Sequence, residues 1–177
     1  MRSREGGAVE KGVVEVRELS SDERQIRFNE ILDLYEAVGW TNYTSHPEAL
    51  RAGYAGSLAA WGAFAGDKLV GIVRVVGDGN DTPNPEPQYA GADTMTLRVV
   101  GDGATIVFVQ DLIVAPSYQR AGIGTQLMRA VINRFADVYQ MELLTDDGSG
   151  ACALYERLGF VRSDAMGCVA YIRISPN

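Results

Sequence analysis

Cysteine and histidine are almost absent from this chain, which has two cysteines, Cys152 and Cys168, and one histidine, His46, in 177 residues. Two cysteines are too few for a disulfide scaffold, and neither their mutual spacing nor their spacing to His46 is that of metal ligands. No metal is therefore expected, and a reducing, cytoplasmic setting is the default. Also missing is any run of about 18 apolar residues that would span a membrane. The opening residues, Met1-Arg2-Ser3-Arg4-Glu5-Gly6-Gly7, lack the apolar stretch of a secretory signal, so residues 1–11 read as a flexible leader. Positive charge is scarce too, since 16 Lys and Arg against 23 Asp and Glu leave a formal net charge of −7. Phosphate binding along a nucleic acid needs clustered Lys and Arg, so neither nucleic acid nor a membrane is an expected partner. Small cationic molecules suit this field, although the same charge would serve solubility alone.

What is present is an ordinary packed-protein composition, 46% hydrophobic and 22% charged, in a length that fits one domain, residues 12–177. Residues 12–18 alternate apolar and charged side chains, the period of a half-buried strand. A helix capped by Ser21 or Asp22 should follow and run to Gly39, with residues 40–44 as a loop and a short helix from Pro47 to about Gly56. Residues 59–65 and 68–76 flank Gly66-Asp67 and read as a hairpin. A strand over residues 105–114 stops at Pro116, and an amphipathic helix covers about residues 122–135. Residues 141–144 form a short strand, residues 151–158 a helix ended by Gly159, and residues 160–161 and 169–174 the last strands.

One hexapeptide occurs twice: Arg74-Val75-Val76-Gly77-Asp78-Gly79 returns as Arg98-Val99-Val100-Gly101-Asp102-Gly103. Between the copies lies a polar, Pro-rich stretch, so residues 78–103 read as an insertion, with residues 94–100 available for an extra strand. Two copies make a local duplication; a solenoid needs three or more.

The segment richest in chemical information is Val109-Gln110-Asp111-Leu112-Ile113-Val114-Ala115-Pro116-Ser117-Tyr118-Gln119-Arg120-Ala121-Gly122-Ile123-Gly124-Thr125. It places a basic, Gly-containing turn directly before a helix. Such a turn can aim several backbone N–H groups at one point, with the positive end of the helix dipole behind them, and that combination binds a pyrophosphate. Gly122 and Gly124 allow close approach of the backbone. A plain strand-to-helix connection would also explain two glycines, and a dinucleotide fingerprint is a weaker match still, since Leu127 stands at the third small position and Pro116-Ser117-Tyr118 separates the glycines from the strand.

Gln119-Arg120-Ala121-Gly122-Ile123-Gly124 matches the signature Gln/Arg-x-x-Gly-x-Gly/Ala of the GNAT superfamily of N-acetyltransferases. A second stretch, Ala153-Leu154-Tyr155-Glu156-Arg157-Leu158-Gly159-Phe160, resembles that family's late helix. The likeness covers about residues 13–174. It implies an α/β (α+β) GNAT fold: a mixed, mostly antiparallel central sheet of about seven strands, splayed at its central strands and flanked by about four helices. It also implies acetyl-CoA as cosubstrate and a primary amine of a small molecule as acceptor, joined by direct attack in a ternary complex. A homodimer is compatible with this reading. Trp40-Thr41-Asn42-Tyr43-Thr44 and Gly71-Ile72-Val73-Arg74-Val75-Val76-Gly77-Asp78-Gly79 further resemble the branch that includes arylalkylamine, or serotonin, acetyltransferases.

Carried onto this sequence, the resemblance assigns the pyrophosphate to the amides of Gln119, Arg120, Ala121, Gly122, Ile123, Gly124 and Thr125. It assigns the pantetheine arm to Leu112, Ile113 and Val114, on a strand whose bulge opens it for the cofactor. Tyr155 would be the general acid that reaches the departing thiolate, and a backbone N–H near Leu112 would hold the oxyanion. Asp111, beside the thioester position, is the first choice of general base, with Asp146 and Asp147 as alternatives. A turn-side or interstrand hydrogen-bonding role for Asp111 stands beside that choice. Trp40, Tyr43 and Arg74 are the candidates on the acceptor side, because aromatic faces attract amines. His46 reads as a loop residue, and the two cysteines as small buried hydrophobes. A non-catalytic acyl-CoA-binding module and a protein-lysine acetyltransferase remain the competing functions.

Overall fold

Half-buried Val14 and Val16, set between charged neighbours, form the first strand, β1 (Val14–Glu18). The computed structural model describes residues 13–77 and 105–172, and the chain forms two compact units, residues 1–144 and 145–177. The leader, the Pro-rich insertion at 78–103 and the expected strand at 94–100 lie outside the described residues.

In the first unit the helix expected up to Gly39 is two helices, α1 (Ser21–Ile26) and α2 (Phe28–Ala37). The cap is Ser20, one residue earlier than expected: its Oγ accepts the Glu23 N–H at 3.1 Å while Glu23 accepts the Ser20 N–H at 3.0 Å, a reciprocal capping box. The break falls at Arg27 (φ −92°, ψ 14°). Its cause is tertiary. α1 packs on α4 (Pro47–Ala55), where buried Arg24 donates to the carbonyls of Tyr54 and Ser57 at 3.1 and 2.7 Å. α2 instead lays Phe28, Ile31, Leu34 and Tyr35 over the sheet, and one straight helix cannot serve both directions. Residues 40–44, expected as a loop, contain a one-turn helix, α3 (Thr41–Thr44), begun by the Trp40 carbonyl accepting from Tyr43 N–H at 3.1 Å.

The hairpin of β2 (Ala59–Ala65) and β3 (Lys68–Val76) turns through Gly66 at φ 61°, as its sequence requires. β3 pairs antiparallel with β4 (Ile106–Val114), and β4 pairs parallel with β5 (Gln140–Leu143), giving the order β1-β2-β3-β4-β5. A parallel pair needs a crossover, and α5 (Ile123–Arg134) supplies it. One face of the sheet carries a core of Leu19, Phe28, Ile31, Tyr35, Tyr54 and Ile72 among others. The opposite face takes α5 through Ile123, Leu127, Met128 and Val131, all buried, each worth at most about 1.5–3 kcal/mol. Gly71 makes that contact possible: a Cβ there would stand 3.1 Å from the Ile113 carbonyl oxygen and 3.3 Å from Leu127 Cδ1.

The second unit holds α6 (Cys152–Arg157). Gly159 at φ 91° ends it, and the Phe160 N–H reaches back to the Tyr155 carbonyl at 3.0 Å, the hydrogen bond of a Schellman motif. The strands expected at 160–161 and 169–174 are not formed among the described residues, and residues 173–174 lie outside them. Val161, Val169, Tyr171 and Ile172 are exposed, so no burial stabilises an extended ladder there, and between the two segments the chain forms a 3-10 turn at Asp164–Met166. The described residues thus hold five strands and six α-helices, where about seven strands and about four helices were expected. Cys168 is also exposed, not buried, and Cys152 is half-buried. Among the described residues no helix is long and apolar enough to cross a membrane.

Candidate active site

β4 carries one residue more than its partner. Ile72 pairs with Ile113 and Arg74 with Gln110, so Asp111 and Leu112 together face Val73, which is a β-bulge. Asp111 takes the strained position, with φ at 57°. Its carboxylate is 1% exposed and both oxygens are engaged: Arg74 Nε donates to Oδ2 at 2.5 Å, and Gln110 Nε2 donates to Oδ1 at 2.9 Å. Breaking such a buried pair from one side costs about 3–5 kcal/mol, because the remaining charge is left uncompensated. The pair therefore locks the bulge. β5 pairs with β4 only up to Val109, opposite Leu143, which leaves the backbone of residues 110–114 without a β5 partner. Ile113 is buried, while Leu112 and Val114 are half-buried.

After β4 a 3-10 turn, Pro116–Tyr118, leads to the basic turn. Gln119 Nε2 donates back to the Val114 carbonyl at 3.0 Å and so fastens the turn to the strand end. Arg120 and Gly122 both adopt positive φ, 63° and 80°. Gly122 caps α5 without a side-chain hydrogen bond, and the first i→i−4 bond of that helix is from Gln126 N–H to the Gly122 carbonyl at 3.1 Å. The amides of Arg120, Ala121, Gly122, Ile123, Gly124 and Thr125 thus have no backbone acceptor among the described residues. Left-handed residues beside a helix N-terminus make such a set of amides converge on one anion.

On the other side of Arg74 lies a cavity of about 200 Å³. Asn42, Tyr43, His46 and Arg74 give it polar groups, and Ala49, Leu50 and Gly53 an apolar wall. Arg74 is 9% exposed; its Nη1 donates weakly to the Gly53 carbonyl and Ser57 Oγ, both at 3.4 Å, and its guanidinium lies 5.2 Å from the Tyr54 ring centroid. Behind it the hydroxyls of Tyr35 and Tyr54 meet at 3.2 Å. Burial above all, with Asp111 nearby, raises both phenols far above the ordinary tyrosine range. Tyr43 is raised in the same way, and its hydroxyl lies 3.5 Å from Gln110 Nε2. Trp40 does not line the cavity; it packs against Tyr35 and Tyr43 with ring centroids 5.7 and 6.0 Å away.

In the second unit Tyr155 is half-buried, edge-on to Phe160 at 5.9 Å. Burial first, then Cys152, raises its phenol, and its hydroxyl has no hydrogen-bond partner among the described residues. Asp147 is held by Arg162 at 2.6 Å, and that hydrogen bond pulls its carboxyl below the usual range. Among the described residues no group of three or more His, Cys, Asp or Glu side chains is arranged to hold a metal ion.

Of the expected site residues, the structure brings Arg74 and Tyr43 to one cavity and Asp111 into contact with Arg74, while residues 119–125 form one turn. Sequence reasoning missed Asn42, Gly53, Tyr35, Tyr54 and Gln110, and read His46 only as a loop residue although it lines the cavity. The signal for Gln110 was its place beside Asp111. Leu50 and Tyr54 share a helix face by their i,i+4 spacing, which reads as core and nothing more.

A sequence model of the acetyltransferase (GNAT) family matches residues 15–160. No curated protein gives a significant sequence match. Among solved structures, a GNAT-family acetyltransferase from Streptococcus pneumoniae is 32% identical, with 93% of this chain and 100% of that chain covered at a TM-score of 0.69. A probable acetyltransferase from Staphylococcus aureus is 21% identical, with 92% and 100% covered and a TM-score of 0.63. An aminoglycoside acetyltransferase from an uncultured soil sample, solved with sisomicin, is 16% identical, with 93% and 97% covered and a TM-score of 0.62; these last two likenesses speak to the fold. With its bulged strand, its turn of open amides and a family match over most of its length, the chain belongs to the acetyltransferase (GNAT) family and is an N-acetyltransferase.

Proposed function

We propose that this enzyme transfers the acetyl group of acetyl-CoA to the primary amine of a small molecule by direct attack in a ternary complex. The observation that carries the reading is the run of amides at residues 120–125 that have no backbone acceptor among the described residues, set after a bulged strand that β5 pairs only up to Val109. An anionic pyrophosphate fits those amides, and an extended, amide-containing arm fits the edge of residues 110–114 as an added strand. Acetyl-CoA supplies the activated thioester. Leu112, at the bulge, offers the backbone N–H nearest the splay for an oxyanion. The family resemblance gives Tyr155 the role of donating the proton to the departing thiolate, and a phenol raised by burial is protonated at neutral pH, as an ordinary tyrosine is. Asp111 holds the bulge open. The base role expected for it has in its favour only its place beside Leu112, whereas its two engaged oxygens favour positioning.

Tyr43 and the apolar Ala49 and Leu50 on the cavity support an acceptor with an aryl or alkyl body, in line with the arylalkylamine-type resemblance. Two free cysteines support work in the reducing cytoplasm. We read residues 12–177 as one acetyltransferase domain with an insertion at 78–103.

The test is thiol release from acetyl-CoA across arylalkylamines, polyamines, aminoglycosides, amino acids and lysine peptides, with acetyl-CoA affinity measured by calorimetry. Turnover with a small amine supports the proposal. Binding without turnover points to a regulatory acyl-CoA module, and turnover with peptides alone to a protein acetyltransferase. Tyr155→Phe should lower kcat by about 10- to 100-fold and leave acetyl-CoA affinity within a few-fold. Unchanged turnover would remove Tyr155 from the chemistry.

A further inference from the structure

We infer that the cavity at Arg74 recognises a carboxylate of the acceptor, so that the preferred substrates are amines that also carry a carboxylate; this deepens the small-amine reading and rests on it. Three donor-bearing side chains, Arg74, Tyr43 and Asn42, interrupt a mostly apolar lining. Arg74, which lines the cavity and is nine-tenths buried, spends its Nε on Asp111 and its Nη1 on long contacts to Gly53 and Ser57, while its Nη2 makes no hydrogen bond with the described residues. A guanidinium is a planar fork with separate donor edges, so one Arg74 can serve Asp111 on one edge and a second carboxylate on the other. Tyr43 accepts only a long contact, 3.5 Å from Gln110, which leaves its O–H free to donate. Ser45 Oγ donates to the Asn42 carbonyl at 3.3 Å and meets His46 Nδ1 at 3.0 Å, so the role of His46 Nε2 follows its tautomer. Asn42 adds a side-chain amide.

No carboxylate lines the cavity among the described residues, and Asp111, which pairs with Arg74, keeps its side chain 1% exposed. An ammonium carries donors only and would meet a guanidinium, whereas a carboxylate carries acceptors only and meets three donor-bearing side chains, Arg74, Tyr43 and Asn42. The group this cavity fits is therefore the anionic part of the acceptor. The apolar wall of Ala49, Leu50 and Gly53 accommodates its carbon skeleton.

Matched pairs that differ by one carboxylate test this: phenylalanine against phenethylamine, tryptophan against tryptamine, and 4-aminobutyrate against butylamine. Each is titrated calorimetrically into the full chain with acetyl-CoA's product, CoA, present, and each is then assayed for thiol release. The carboxylate member should bind about 10- to 100-fold more tightly in at least one pair, the scale of one charge-assisted hydrogen bond. That preference should shrink about tenfold in Arg74→Lys, and also in Tyr43→Phe, which leaves the Asp111 pair intact. Equal or tighter binding of the decarboxylated members in every pair, or a preference untouched by Tyr43→Phe in a folded Arg74→Lys background, overturns the inference. Binding preference without thiol release keeps it and instead removes the catalytic reading. Release with polyamines or aminoglycosides, without a carboxylate preference, does the reverse.

Discussion

Arg120 holds a positive φ that costs an ordinary L-residue roughly 1–2 kcal/mol, and nothing buries its side chain. The amide that this conformation points outward is what the turn gains. Arg120→Gly should relieve the strain and keep the amide, binding acetyl-CoA within a few-fold of wild type and melting no lower. Arg120→Glu should weaken binding by about tenfold or more, because a charge of the wrong sign then stands at the phosphates. Calorimetry on both variants separates backbone from side chain: equal losses would assign the affinity to the guanidinium. This turn was legible in the sequence because its determinants are contiguous, Gln119 through Thr125. The cavity was only half legible. Tyr43 and Arg74 could be named, but Asn42 and Gly53 join them through a one-turn helix and a helix face, and Gln110 reaches Tyr43 from beside a bulge, none of which residue alternation can reveal.

Between α5 and the sheet, Gly71 acts for two elements at once, since its missing side chain admits both Leu127 of α5 and the Ile113 carbonyl of β4. Gly71→Ala would press on a backbone oxygen, which cannot move away as a side chain can. We expect a loss of about 1–3 kcal/mol in stability, read by denaturant unfolding, with weaker acetyl-CoA binding because the start of α5 is displaced from the strand end. An unchanged midpoint would show that β4 gives way freely at the bulge. Strands β1 to β4 and helices α4 and α5 follow directly from period, cap and turn signals. The split of the first long helix does not, because α1 answers to α4 and α2 to the sheet, a division set by tertiary contact. The late strands expected at 160–161 and 169–174 are not formed among the described residues, where Val161, Val169, Tyr171 and Ile172 are exposed, and apolar content without burial does not make a strand.

For the molecule as a whole, binding of acetyl-CoA to the folded state alone must raise its melting temperature. At about 100 times Kd the gain is about 2.7 kcal/mol, or roughly 5–10 °C for a chain of this size. Differential scanning calorimetry should show that shift in the wild type and little of it in Arg120→Glu. The tyrosine pair buried beneath Arg74 has a different consequence at the alkaline end of the pH scale. Tyr35 and Tyr54 have folded pKa values raised above their unfolded ones, so their stabilising contribution is whole below pH about 10 and fades as pH climbs past it. Each contributes a loss of about 1.4 kcal/mol per pH unit there, as the unfolded phenols ionise and the folded ones do not. Of the eight tyrosines, these two should stay dark in an ultraviolet phenolate titration until the chain unfolds. Their late, cooperative appearance would make the protein its own optical gauge of the packing around the active site.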